Sequence, residues 1–178
     1  MRFIRVLAFD PGKRCGWAAL ESSPDGPLHL GSGVLHIERK ENEKYQPYRM
    51  RLTQVVAFST RTLCVTINPQ KIITEIIPAQ GSIGFMTSGQ SYIANVTATT
   101  IHNVAYERDI PIEQVSARSW QKQIARRGKS KGITKPQIRN GVLEHIPHLR
   151  KELSESLQNW DQWDALGIAL FSLGFKTT

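Results

Sequence analysis

The chain has 178 residues, of which 40% are hydrophobic and 21% charged. This suits one packed domain over residues 1–178 and excludes a disordered, collagen-like or solenoid protein. No apolar run reaches the about 18 to 20 residues that cross a bilayer, and the amino terminus lacks the apolar stretch of a signal peptide, so a cytoplasmic location is expected. Lys and Arg exceed Asp and Glu by 23 to 15, a net charge of +8, which points to a polyanionic partner such as nucleic acid. Cys15 and Cys64 share no ligand spacing with the five histidines, so neither a disulfide framework nor a zinc site is indicated.

Residues 4–9 form a short apolar run stopped by Asp10-Pro11-Gly12, the pattern of a buried strand ended by a turn, with Asp10 at its carboxyl end. Residues 15–20 give a second strand, Ser22-Ser23-Pro24-Asp25-Gly26-Pro27 a turn, and residues 28–37 a third strand, together a three-stranded antiparallel meander. Tyr48, Leu52, Val55, Val56 and Leu63 recur at near-helical spacing, predicting a long helix over 42–66 that stops before Asn68-Pro69. Residues 71–77 are short and β-branched, the composition of a central strand. Glu75 is its anomaly. A carboxylate there is either turned outward by the alternation or must be neutralised, hydrogen bonded or metal bound.

Residues 78–89 contain Gly81, Gly84 and Gly89 with Phe85 and Met86, predicting a loop that carries exposed apolar groups. A helix over 91–107 follows, with Ile93, Ala94, Val96, Ala98 and Ile101 placed to pack on the sheet or on a second subunit. Residues 110–115 read as a fifth strand, and Ser116 caps a helix carrying Trp120, Lys122 and Ile124. Gly128-Lys129-Ser130-Lys131-Gly132 breaks that helix. It is similar to the end of a phosphate-binding loop, but Gln123 stands where glycine is needed and a helix precedes it, so no nucleotide site is assigned. Thr134-Lys135-Pro136 opens another helix, reaching about residue 146 before Pro147. His145 and His148 flank its end and read as capping or surface residues rather than ligands. A last helix covers 160–175.

Asp161 and Asp164 lie three residues apart at the start of that last, apolar helix and therefore point the same way. Two like charges against an apolar segment cost free energy unless a cation neutralises them. Capping and the helix dipole also favour Asp at such a position, so the pair alone does not decide. Arg118, Lys122, Arg126, Arg127, Lys129, Lys131, Lys135 and Arg139 form a basic stretch without one acidic residue, a patch suited to phosphates. If the first and fourth strands are parallel neighbours, Asp10, Glu75, Asp161 and Asp164 converge at one sheet edge. Such a set suits two Mg²⁺ or Mn²⁺ ions, which activate water and stabilise the leaving oxygen in phosphodiester hydrolysis.

Phe9-Asp10-Pro11-Gly12 followed by Gly16, the strand with Glu75, Ser116-Ala117-Arg118 leading to Lys122, the Gly-Ile-Thr-Lys135 segment and Asp161-x-x-Asp164-Ala165-Leu166 occur in that order. In these pieces the sequence resembles the RuvC family of Holliday-junction resolvases, as a divergent or phage-type member. The resemblance implies an α/β, ribonuclease H-like fold: a mixed five-stranded sheet in the order 3-2-1-4-5, flanked by helices. It further implies a homodimeric, Mg²⁺-dependent endonuclease with two ions per site, Mn²⁺ substituting, in a bacterial or phage-infected cell. That enzyme would nick four-way DNA junctions symmetrically and leave 5′-phosphate and 3′-hydroxyl ends, with branch-migration proteins as candidate further partners. Asp10, Glu75, Asp161 and Asp164 carry over as catalytic metal ligands, and Lys122 and Lys135 as phosphate contacts. Arg118, Arg126, Arg127, Lys129 and Lys131 join them as the DNA-binding set, and Phe85, at a different offset from the glutamate than in the family, is the candidate for stacking at the junction. Two rivals are a junction-binding protein of the same fold without catalysis, and an actin-like nucleotide-binding protein, which needs a second similar domain.

Overall fold

The structure, a computed structural model, describes residues 3–77, 90–125, 132–153 and 160–176. Strand β1 (Arg5–Asp10) is the axis of the fold, because both of its faces are covered. Val6 and Ala8 face one apolar layer and Leu7 and Phe9 the other, all four fully buried. Side chains on a strand alternate between faces, so a strand buried on both sides reads as an unbroken apolar run, as residues 4–9 do.

Strand β2 (Arg14–Ser23) pairs antiparallel with β1, and β3 (Gly26–His36) antiparallel with β2, giving the expected meander. On the other side of β1, β4 (Lys71–Glu75) and β5 (Ile112–Val115) run parallel to it, and the sheet order is β3-β2-β1-β4-β5. Parallel neighbours need long crossovers, and two helices supply them. These are α1 (Tyr45–Ile67) and α2 (Gln90–Glu107). Tyr48, Leu52, Val56 and Cys64 of α1 and Ile101, Val104 and Ala105 of α2 pack with Leu7, Phe9 and Ile72 on one face of the sheet.

The opposite face is covered by α3 (Ala117–Ile124), α4 (Lys135–His145), the short α5 (Leu149–Glu152) and α6 (Trp160–Ser172). Trp120, Ile124, Ile138, Val142, Leu149, Trp163, Leu166 and Ala169 meet Val6, Ala8, Ala18 and Ile73 there. Local chemistry fixes the helix starts. Ser116 accepts the Ser119 amide at 3.2 Å, and the Thr134 amide donates to Gln137 Oε1 at 2.8 Å, with Pro136 in the first turn.

Several boundaries differ from the sequence expectation, and one helix is added. Strand β4 ends at Glu75 and not at residue 77, leaving Ile76 41% exposed. Strand β5 stops at Val115, opposite Glu75, and the Ile76 amide donates to the Val115 carbonyl at 2.8 Å. The last helix ends at Ser172, and a helical turn at Leu149–Glu152 stands where no element is expected. It packs through Leu149, the one fully buried side chain in that turn, a signal too short for periodicity to reveal.

Among the described glycines, Gly16 is the one at which an added Cβ would meet a helix most closely. A methyl group there would overlap the backbone carbonyl of Asp161 in the first turn of α6. Gly16 is also the register partner of Asp10, so the missing side chain lets α6 start beside the carboxyl end of β1. Replacing Gly16 by Ala is expected to lower stability by about 1–3 kcal/mol through forced separation of these backbones, measurable as a lower urea midpoint at unchanged m-value. A variant as stable as the parent would show that the contact is not tight.

Candidate functional site

The parallel register of β1 and β4 sets Phe9 opposite Thr74. One residue further on, Asp10 and Glu75 end their strands side by side at the carboxyl edge of the sheet. The first turn of α6 adds Asp161 across the Gly16 contact, and Asp164 follows three residues later. Asp164 is 4% exposed, and Asp10, Glu75 and Asp161 are partly buried. All four sequence-predicted carboxylates thus meet at one edge.

The charges act on one another. Burial holds the Asp10 carboxyl well above the usual range, and the charges of Asp164, Glu75 and Asp161 push it the same way, with Lys135 opposing. Burial likewise raises Glu75, against the hydrogen bond from Trp120, and raises Asp164, against the attraction of Lys135. Burial favours the uncharged acid, and so does a neighbouring like charge.

Each of three carboxylates has one partner from a different element. Trp120 Nε1 of α3 donates to Glu75 Oε2 at 2.8 Å. The Arg14 guanidinium of β2 donates through Nε to Asp161 Oδ2 at 2.9 Å, and the Lys135 ammonium of α4 donates to Asp164 Oδ2. The other oxygen of Asp164, Oδ1, is buried without a hydrogen-bond partner. A buried acceptor left in this way is costly, and a cation satisfies it.

A hard divalent cation fits this donor set: carboxylate oxygens only, surplus negative charge, and one buried oxygen unclaimed. In the arrangement described, the oxygens are drawn toward Lys135, Arg14 and Trp120. Among the described residues, no three of these carboxylates offer ligand atoms within 4.8 Å of one another. Beside them lies an open cleft of about 380 Å³ lined by Asp10, Pro11, Gly12, Lys13, Arg14, Ala94 and Asp161. Thr97 Oγ1 of α2 steadies its wall by donating to the Gly12 carbonyl at 3.3 Å.

Of the predicted DNA-binding residues, Lys135 stands at the carboxylates themselves, and Arg118 and Lys122 are exposed on α3. Four residues apart, they share a helix face turned away from buried Trp120. Phe85, Arg126, Arg127, Lys129 and Lys131 lie outside the described residues, as does the rejected phosphate-loop fragment up to Lys131.

Two contributors escape the sequence reading, Arg14 and Trp120. Arg14 sits in an ordinary strand start, and nothing in its spacing from Asp161 ties the two together. Trp120 reads as a core aromatic, which it also is, at 0% exposure. Its ring lies so close to Gly167 of α6 that a Cβ there would sit 2.8 Å from Cζ3. The one available signal is chemical, since a buried indole needs an acceptor and Glu75 is the acid on the neighbouring strand.

The fold is similar to that of solved RuvC-type Holliday junction resolvases. T. thermophilus RuvC in complex with Holliday junction substrate matches with a TM-score of 0.69 and 16% identity, over 94% of this chain and 91% of that chain. A second Thermus thermophilus RuvC structure gives 0.66 and 16%, over the same 94% and 91%. The yeast mitochondrial Holliday junction resolvase Ydc2 gives 0.63 and 19%, over 97% of this chain and 77% of that chain. No family model matches the sequence, and no curated protein resembles it in sequence at a significant level. At such identities the likeness establishes the fold.

The raised carboxyls carry a stability consequence. A group whose folded pKa lies above its unfolded value stabilises the fold below the unfolded pKa, and that contribution is lost as pH rises through the folded value. Metal-free protein is therefore expected to lose melting temperature as pH rises from the ordinary carboxylate range toward neutrality, and Asp10→Asn to reduce that loss. Thermal melts with chelator at acidic and neutral pH check this, and a flat profile shared by parent and variant would contradict it.

Proposed function

We propose that the protein is a divalent-metal-dependent endonuclease of branched DNA, resolving four-way or related junctions by paired symmetric nicks that leave 5′-phosphate and 3′-hydroxyl ends. The observation that carries this reading is the meeting of Asp10, Glu75, Asp161 and Asp164 at one sheet edge, with Asp164 Oδ1 buried and unpartnered. The fold it shares with a RuvC described in complex with a Holliday junction substrate supports the choice of DNA, as does the +8 net charge.

Asp10, Glu75, Asp161 and Asp164 would hold two Mg²⁺ ions, or Mn²⁺ in their place. When bound, such ions supply activation of the attacking water and neutralisation of charge at the leaving oxygen. The chain's own residues do the rest. Trp120 fixes the Glu75 carboxylate through its indole N–H. Lys13 and Arg14 put positive charge on the cleft wall beside Asp10 and Asp161, where a strand's phosphates can lie. Lys135, whose side chain is 44% exposed, can trade Asp164 for a phosphate oxygen, and Arg118 and Lys122 offer a second line of backbone contacts.

The ion pairs Lys135 with Asp164 and Arg14 with Asp161 favour a second reading, a junction-binding protein that neutralises its acids without metal and does not cut. A nicking assay on a synthetic four-way junction and on linear duplex, with Mg²⁺, Mn²⁺ or chelator, separates the two. Metal-dependent paired nicks in the junction are expected from the parent. Asp10→Asn and Glu75→Gln should each lower the rate at least about a hundredfold while junction binding persists. Near-parental nicking by either variant would sink the assignment, and absence of nicking by the parent would favour the second reading.

Paired cuts require two copies of the site. Met50, Phe58 and Val65 are 62%, 71% and 67% exposed along α1, apolar surface of the kind a homodimer covers. Phe58→Asp is expected to shift sedimentation from dimer to monomer without changing the fold. A parent that sediments as a monomer at every concentration, alone or on DNA, would rule out the dimer.

A further inference from the structure

Away from the sheet edge, His29 of β3 faces the short helix α5. His29 Nδ1 lies 4.0 Å from Glu152 Oε2, and His148 Nε2 lies 3.9 Å from Glu152 Oε1. Among the described residues, this trio is the group of His, Cys, Asp and Glu whose ligand atoms all fall within 4.8 Å of one another. His148 occupies the position before α5, yet its imidazole makes no capping hydrogen bond. Of the two roles the sequence suggests, capping or surface, its exposure fits the second.

We propose that His29, His148 and Glu152 form a second cation site, for a zinc-class ion, which ties α5 to β3. The donor set decides the class. Two imidazole nitrogens and one carboxylate suit Zn²⁺, whereas Mg²⁺ keeps to oxygen ligands and octahedral geometry. Zinc bonds of about 2.0–2.1 Å place tetrahedral donors about 3.3 Å apart. Exposed Glu152 needs only a small side-chain adjustment to reach that spacing, and water takes the fourth position.

The second ring nitrogen of His29 supports this. Nε2 lies 2.9 Å from Ser32 Oγ, which also accepts from Gln162 Nε2 at 2.9 Å. With its proton on Nε2 donated to Ser32, His29 turns a free Nδ1 lone pair toward Glu152, the arrangement by which an outer hydrogen bond orients a metal-binding histidine. Gln162 follows Asp161 in the first turn of α6. The site is therefore linked through two hydrogen bonds to the helix carrying the aspartates. It departs from the sequence expectation of no zinc because that expectation looked for histidines near cysteines, and this set uses none. The inference does not depend on the nuclease reading.

Titration of the metal-free full chain with Co²⁺ in saturating Mg²⁺, followed by visible absorption, tests it. One Co²⁺ per chain is expected, with the intense band of four-coordinate cobalt, bleached by Zn²⁺. His29→Ala and His148→Ala should each weaken binding at least about tenfold, and exposed His148 is a substitution that leaves the fold intact. Asp10→Asn should leave the band unchanged, which separates this site from the carboxylates. No band, an undiminished band in His148→Ala, or its loss in Asp10→Asn would overturn the proposal.

Discussion

Four carboxylates that repel one another are held together at the edge of this sheet, and the surrounding structure is arranged to withstand that repulsion. Backbone pairing fixes Asp10 and Glu75, because neighbouring parallel strands cannot splay without losing their ladder. Helix geometry fixes Asp161 relative to Asp164, and the Gly16 contact fixes the helix relative to the sheet. The compensation is partial. Lys135, Arg14 and Trp120 each engage one carboxylate, yet Asp10, Glu75 and Asp164 all keep carboxyls raised by burial. A site in that condition takes up protons or cations readily.

The two layers of helices have separate roles. Helices α1 and α2 build a plain apolar layer on one face of the sheet. The opposite layer is packed as well, but every side chain reaching Glu75, Asp161 or Asp164 in the hydrogen-bond set above comes from it or from β2. Trp120 shows how the two functions share one residue. Its ring fills the space that Gly167 leaves open, and its N–H reaches the acid on β4. Packing and site geometry therefore cannot be varied independently on this side of the molecule.

Strand β1 was legible because burial on both faces leaves an unbroken apolar run, and the sheet order was carried by the family resemblance rather than by a local signal. The acids were legible as anomalies. Glu75 interrupts β-branched neighbours, and Asp161 and Asp164 open an apolar helix. Partners brought in from distant segments were not. Arg14 is remote from Asp161 along the chain, and no local rule couples them. Helix α5 was missed because four residues carry no period. His148 reads as a capping or surface residue and is exposed, and its closeness to Glu152 and to distant His29 shows only once β3 and α5 are adjacent.

Because the acids come from both β1 and α6, the cluster is assembled from segments that leave the ribosome far apart in the order of synthesis. Synthesis proceeds from the amino end, so Asp10 and Glu75 emerge well before residue 161. Until then β1 and β2 expose the surface that α6 later covers, and the acidic edge has half its members. A nascent or prematurely terminated product thus lacks the complete constellation, whatever that constellation does, and competence arrives only when the helix following residue 159 docks.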